Sequence, residues 1–112
     1  MIKKIEQKFD RSRMESVAER EIASNLESIG FKVKRSMSDS DSDFELQAEK
    51  NYTKILIKVR AVVNSLPVKD FSEEDKNLIR QKSFLSGAVP YLAKVTLNEE
   101  YQKIRVDYYE IR

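Results

Sequence analysis

Residues 55–62 read "ILIKVRAV", and the fold turns on how they are read. A strand repeats every two residues, so Ile55, Ile57, Val59 and Ala61 line one face. Lys58 and Arg60 share the other face with Leu56, and Lys54 just upstream joins them. Three cations on one strand face follow closely on an acidic run, "DSDSDFE" at 39–45. The two runs are near enough in sequence to meet in space.

Immediately before this strand, "DFELQA" at 43–48 alternates as well. Phe44, Leu46 and Ala48 face one side; Asp43, Glu45 and Gln47 face the other. "EKNYT" at 49–53 supplies a hairpin connection. If the two strands pair, their polar faces coincide, and Asp43 and Glu45 sit beside Lys58 and Arg60. Further upstream, "FKVKRS" at 31–36 reads as a strand and "SMSDSDS" at 36–42 as a polar loop. That loop lacks the glycine and terminal glutamate of an EF-hand calcium site.

Ser12 and Glu15 have the spacing of a capping box, so a helix is expected to start at Ser12. It continues through Met14, Ala18, Ile22, Leu26 and Ile29 and stops at Gly30. Ile2, Ile5 and Phe9 recur at helical spacing, which makes residues 1–12 a short amphipathic helix or N-terminal arm. Downstream, "VVNSLPVKDF" at 62–71 reads as a loop in which Pro67 blocks regular pairing. Ser72 and Asp75 form a second capping box, opening a helix through Leu78, Ile79, Lys82 and Leu85 to Gly87. The acids of "SEEDK" at 72–76 suit the positive end of that helix. "AVPYLAKVTL" at 88–97 and "KIRVDYYEIR" at 103–112 are two further strands, in which Tyr108 and Tyr109 read as core and edge residues. The order αβββαββ predicts a mixed α/β sheet flanked by helices, in one domain spanning 1–112.

Composition narrows the chemistry. With 112 residues the chain can bury one modest core, and a net charge of +2 permits a local basic patch without the excess of a DNA-coating protein. There is no histidine and no cysteine, which removes a structural zinc site, a histidine general base and a serine–histidine couple. Any metal must be a hard ion held by carboxylates and carbonyls. No apolar run reaches the ~20 residues of a membrane span, and "MIKKIEQKFD" lacks the apolar core of a secretory signal. A soluble cytoplasmic domain is the expectation.

One resemblance covers nearly the whole chain, from about residue 17 to 110. "AEREIASNLESIGFKVKRS" at 18–36, then Asp43, then "ILIKVRAV" resembles the archaeal Holliday-junction resolvases of the restriction-endonuclease-like, PD-(D/E)-x-K nuclease superfamily. The resemblance implies the restriction-endonuclease-like fold, a homodimer, DNA as partner, and work alongside repair or recombination proteins. It places Glu19 on the family's helix carboxylate and Asp43 on its strand aspartate, both Mg²⁺ ligands there. It places Arg20 and Arg35 at positions used around the DNA backbone. Where the family carries Glu-x-Lys, however, this chain has Lys58-Val59-Arg60, and its connection from Asp43 is longer.

The exchange strikes at catalysis. A unit charge ~5 Å from a divalent ion interacts by roughly 6 kcal/mol at an effective dielectric near 20, and an ammonium in place of the carboxylate reverses the sign. Arg60 can still balance a phosphate. Lys58 is the lesion. The implied function is therefore a DNA-binding relative of the resolvases that has lost cleavage and needs no cofactor. Its backbone contacts would come from Arg20, Lys32, Lys34, Arg35, Lys58 and Arg60, with Lys58 and Arg60 neutralising Asp43 and Glu19. Two alternatives stand beside it. One is an active Mg²⁺-dependent endonuclease whose metal sits on Asp43, Glu19 and Glu45, with Glu45 replacing the lost glutamate. The other is an adaptor that kept only the fold, in which the four strand charges are an ordinary cross-strand ion ladder worth tenths of a kcal/mol to about 1 per pair.

Overall fold

A computed structural model describes residues 10–35, 43–65 and 70–111. Along the chain run α1 (Arg11–Ser28), β1 (Lys32–Arg35), β2 (Asp43–Lys50), β3 (Thr53–Val63), α2 (Glu73–Ser86), β4 (Val89–Leu97) and β5 (Lys103–Glu110). The strands form one sheet in the order β1-β2-β3-β4-β5. Antiparallel pairing joins β1 to β2 and β2 to β3; α2 then carries the chain back so that β4 runs parallel to β3, and β5 returns antiparallel. The expected element order holds. The first nine residues of the proposed arm, the "SMSDSDS" loop and Pro67 lie outside the described residues.

Two boundaries differ from the sequence reading. Helix α1 is capped by Asp10, whose carboxylate accepts from the Arg13 N–H at 3.2 Å, and not by Ser12. The Asp10 N–H is itself held by the Tyr101 hydroxyl at 2.7 Å, which fixes the helix start upstream. Residues 11 and 12 thus belong to α1 rather than to an arm. Strand β3 also runs on through Val62 and Val63, because β4 pairs with it as far as Val63↔Leu97.

The helix ends follow the sequence closely. Gly30, at φ 100°, ends α1: its N–H bonds to the Glu27 carbonyl and the Phe31 N–H to the Leu26 carbonyl, the paired closure for which a left-handed glycine is favoured. In α2 both halves of the Ser72–Asp75 capping box are made, and Glu73, Glu74 and Asp75 occupy the first turn.

The helices cover opposite faces unequally. Helix α1 lays Met14, Ala18, Ile22 and Leu26 on the face built from Phe44, Leu46, Ala48, Ile55, Ile57, Val59, Ala61, Val63, Ala93, Val95 and Leu97. This is the main core. Helix α2 brings only Ile79 to a small cluster with Leu56, Leu92 and Ile111. Leu78 and Leu85, which mark the helix in the sequence, point outward at 43% and 79% exposure. The α2 face of the sheet is therefore free to carry charge. Ile22→Ala should cost about 2–5 kcal/mol of global stability in urea unfolding. Ile79→Ala should instead speed amide hydrogen exchange in α2 selectively, with α1 amides little changed.

Candidate functional site

The hairpin of β2 and β3 builds the site. Lys50 pairs with Thr53, so the turn contains just Asn51 and Tyr52, and Asn51 takes the positive φ (56°) that asparagine tolerates well. This register sets Asp43 opposite Arg60 and Glu45 opposite Lys58. All four side chains stand on the face that α2 covers.

Asp43 is gripped at both oxygens. Arg60 Nε donates to Oδ1 and Nη2 to Oδ2, each at 2.9 Å, in the fork geometry that suits a carboxylate. Lys58 Nζ lies 3.8 Å from the same Oδ2, an ion pair beyond hydrogen-bond range. Helix α2 closes the group from above. Asp75 Oδ2 takes a second bond from Arg60 at 3.3 Å, and Lys82 Nζ donates to Glu45 Oε2 at 2.9 Å. Among the described residues the cluster thus balances three carboxylates (Asp43, Glu45, Asp75) against three cations (Lys58, Arg60, Lys82).

Asp43, Glu45 and Lys58 are 2%, 5% and 3% exposed. A buried charge costs several kcal/mol of desolvation, so such groups persist only where partners compensate them. The Asp43 hydrogen bond raises the Arg60 pKa against the opposing effect of burial, keeping the guanidinium charged. Burial alone would raise the Asp75 carboxyl. Hydrogen bonds from Ser72, through backbone and hydroxyl, and the charges of Lys58 and Arg60 outweigh it and hold the carboxyl below its ordinary range.

The other residues singled out from the sequence lie elsewhere. Glu19, on α1, faces the opposite side of the sheet, where Arg35 donates to it at 2.9 Å and to Glu15 at 2.6 Å. It is neutralised by Arg35, not by Lys58 or Arg60. Arg35 also lies over the Phe44 ring, 4.7 Å from its centroid. Lys32 and Lys34 are exposed on β1 and pair with Glu49 and Gln47, which puts them on the α2 face of the sheet. Arg20 is exposed on α1. Tyr108 and Tyr109 sit on the edge strand as expected, but at 41% and 47% exposure neither is a core residue.

This donor set suits a divalent ion poorly. Both Asp43 oxygens are committed to a guanidinium, Glu45 to an ammonium, and Lys58 stands between the two acids. Among the described residues no group of three acidic, histidine or cysteine side chains converges on a point. A metal would have to displace cations already bonded to its ligands.

Comparison with solved structures gives a match to the 1.6 Å structure of the Holliday junction resolvase Hjc from Archaeoglobus fulgidus, an archaeal hyperthermophile. The TM-score is 0.55 at 15% sequence identity, over 83% of this chain and 75% of that one. The fold is resolvase-like. It has the mixed α/β sheet that the element order predicts, in the restriction-endonuclease-like architecture that the resemblance implies. No family model matches the sequence, and no curated protein does.

Sequence reasoning missed Asp75 and Lys82 as members of the site. Asp75, Ile79 and Lys82 follow at steps of four and three, one stripe of a helix. That stripe is acid, aliphatic and base, and it meets base, aliphatic and acid on the sheet. The depressed Asp75 carboxyl makes a pH prediction. Its contribution should be complete above the unfolded-state value of about 3.9 and should vanish as pH falls through the lower folded value. Urea midpoints measured from pH 5 downward should fall less steeply for Asp75→Asn than for the natural protein.

Proposed function

We propose that this protein binds branched or duplex DNA through phosphate contacts and does not cleave it. One observation carries the reading: within a resolvase-like fold, Asp43, the aspartate that the resemblance assigns to a metal, is bonded through both oxygens to Arg60. Charge that a metal ion would supply is supplied by side chains. Lys58 is buried, so its part is neutralising Asp43, and Arg60 reaches a phosphate only from the cluster's edge. Exposed cations do the gripping. Lys32 and Lys34, exposed on β1, line a shallow groove with Val33, Gln47 and Glu49, and half-buried Lys54, in the same row as Lys32 and Glu49, pairs with Glu49 at 3.8 Å. Arg20 and Arg35 serve the α1 side. The alternative in which Glu45 replaces the missing glutamate is disfavoured by its bond to Lys82.

DNA binding should need no divalent ion and should fall roughly a hundredfold over a fourfold rise in salt, if about four phosphates are neutralised. Lys32→Gln and Lys34→Gln should each lower the salt slope by about one. No Mg²⁺-dependent nicking of a four-way junction is expected. Lys58→Glu combined with Arg60→Lys should create Mn²⁺ affinity measurable by calorimetry. A folded double variant without it would mean that Asp43 and position 58 do not form a metal pair. Absence of binding to junction and duplex at low salt would leave the adaptor reading.

The same reading includes a homodimer, since one chain of this size offers too little surface for two duplex arms. A patch supports it. Tyr52, Phe84, Leu85 and Val89 are 105%, 85%, 79% and 36% exposed. Phe84 and Leu85 are adjacent in the last turn of α2, which the Lys54 bond to the Ser86 carbonyl ties to the hairpin, whereas Val89, opposite Ile55, lies on the α1 face. Aromatic and aliphatic side chains so exposed are interface material. In a light-scattering dilution series the natural protein should be dimeric, and Phe84→Ser with Leu85→Ser should give a folded monomer.

A further inference from the structure

A cleft of about 510 Å³ opens between α2 and β5, beside the charge cluster. Its lining includes Leu92 and Ile111, with Phe71 and Tyr109 as aromatic walls. Three cations line it: Lys76 and Arg80, one turn apart on α2, and Lys94 from β4. The Asp70 carboxylate lines it too; Glu110 borders it through the strand, its side chain turned to the α1 face with its partner Tyr91. The volume falls in the ordinary range for small-molecule sites.

The lining has unspent capacity. Among the described residues Lys94 has no ion pair, since the facing Asp107 is taken by Arg105 at 3.0 Å. Lys76 is paired only to Glu73, itself 79% exposed, and such a surface bridge holds weakly. Phe71 is covered by Arg60, whose guanidinium lies 4.3 Å from the ring centroid. Tyr109, by contrast, is 47% exposed. The cleft thus combines the Lys76 and Lys94 ammonium groups for an anion, an open phenol ring for a flat partner, and the Asp70 carboxylate able to accept from an amine.

We propose that this cleft binds a nucleotide. Its phosphate meets Lys76 and Lys94, its base lies against Tyr109, and Asp70 accepts from an exocyclic amine. Base–aromatic stacking and carboxylate–amine contacts are both established modes of nucleotide recognition. Asp70 gives the site a preference: cytosine carries the N4 amine, whereas thymine offers only acceptors along with its ring N–H. A free mononucleotide and an unpaired nucleotide at a strand end present the same chemistry. The inference goes beyond DNA backbone binding and does not depend on it.

Calorimetry on the full chain with dCMP, dTMP and inorganic phosphate tests the site. dCMP should bind about tenfold more tightly than dTMP, the worth of one charge-assisted hydrogen bond, and phosphate should bind more weakly than either. Lys94→Gln and Tyr109→Ala, both at half-exposed or exposed positions and so compatible with folding, should each weaken dCMP severalfold or more. Lys32→Gln should leave it unchanged. In amide NMR spectra, shifts induced by dCMP should centre on α2, Lys94 and Tyr109. A labelled duplex with a 5′ cytosine overhang, compared with its blunt counterpart, separates the sources. Tighter overhang binding that Tyr109→Ala abolishes assigns the site to strand ends; equal binding with dCMP affinity intact assigns it to free nucleotide. Phosphate binding as tightly as dCMP, or dCMP shifts scattered away from the cleft, would overturn the proposal. Loss of blunt-duplex binding would count only against the DNA reading.

Discussion

A charged residue in the middle of a strand buried on both faces is the constraint around which this molecule is arranged. β3 lies third of five strands, and Lys58 at its centre is as buried as its apolar neighbours. Such an ammonium is tolerated only with anions close by, so β2 must pair in the register that brings Asp43 and Glu45 to the same face. Slipping by one residue would carry Phe44 and Leu46 to the charged side and the acids into the core against α1. The hairpin register, the polarity of the α2 face and the seating of α2 therefore share a single electrostatic cause.

Helix α2 illustrates the cost and the reward of that arrangement. Its apolar contribution to the sheet is Ile79, far less than a helix of its length usually buries. Asp75 and Lys82 flank Ile79 along the axis and meet Arg60 and Glu45. Position is thus set by complementary charge rather than by interlocking side chains.

Much of this was legible in the residues themselves. Period-two alternation located β2 and β3, and their polar faces alone placed Asp43 and Glu45 beside Lys58 and Arg60, as the pairing confirms. The Ser72–Asp75 box and Gly87 bounded α2 correctly because capping is local chemistry. What escaped was long-range. Ser12 has the form of a cap, yet Asp10 won because Tyr101, distant in sequence, anchors it. Glu19 sits at the edge of α1's buried face and so can lean toward the sheet, but Arg35 on β1 holds it on the other side. Asp75 reads as a capping residue and is one; nothing in a local window shows that the same carboxylate also answers Arg60.

Closure of the charge cluster also shapes which sequences lie one substitution away. Asp43, Glu45 and Lys58 are buried, with the more accessible Arg60, Asp75 and Lys82 closing the group, so changing one of the buried three leaves an unmatched charge inside. A carboxylate at position 58 would give four acids against two bases whether position 60 holds arginine or lysine, so balance would then need a bound cation. Neighbouring sequences are thus separated by a valley that only coordinated changes cross. The buried three depend on one another and on the charges that close over them, so each partner penalises a change at the others.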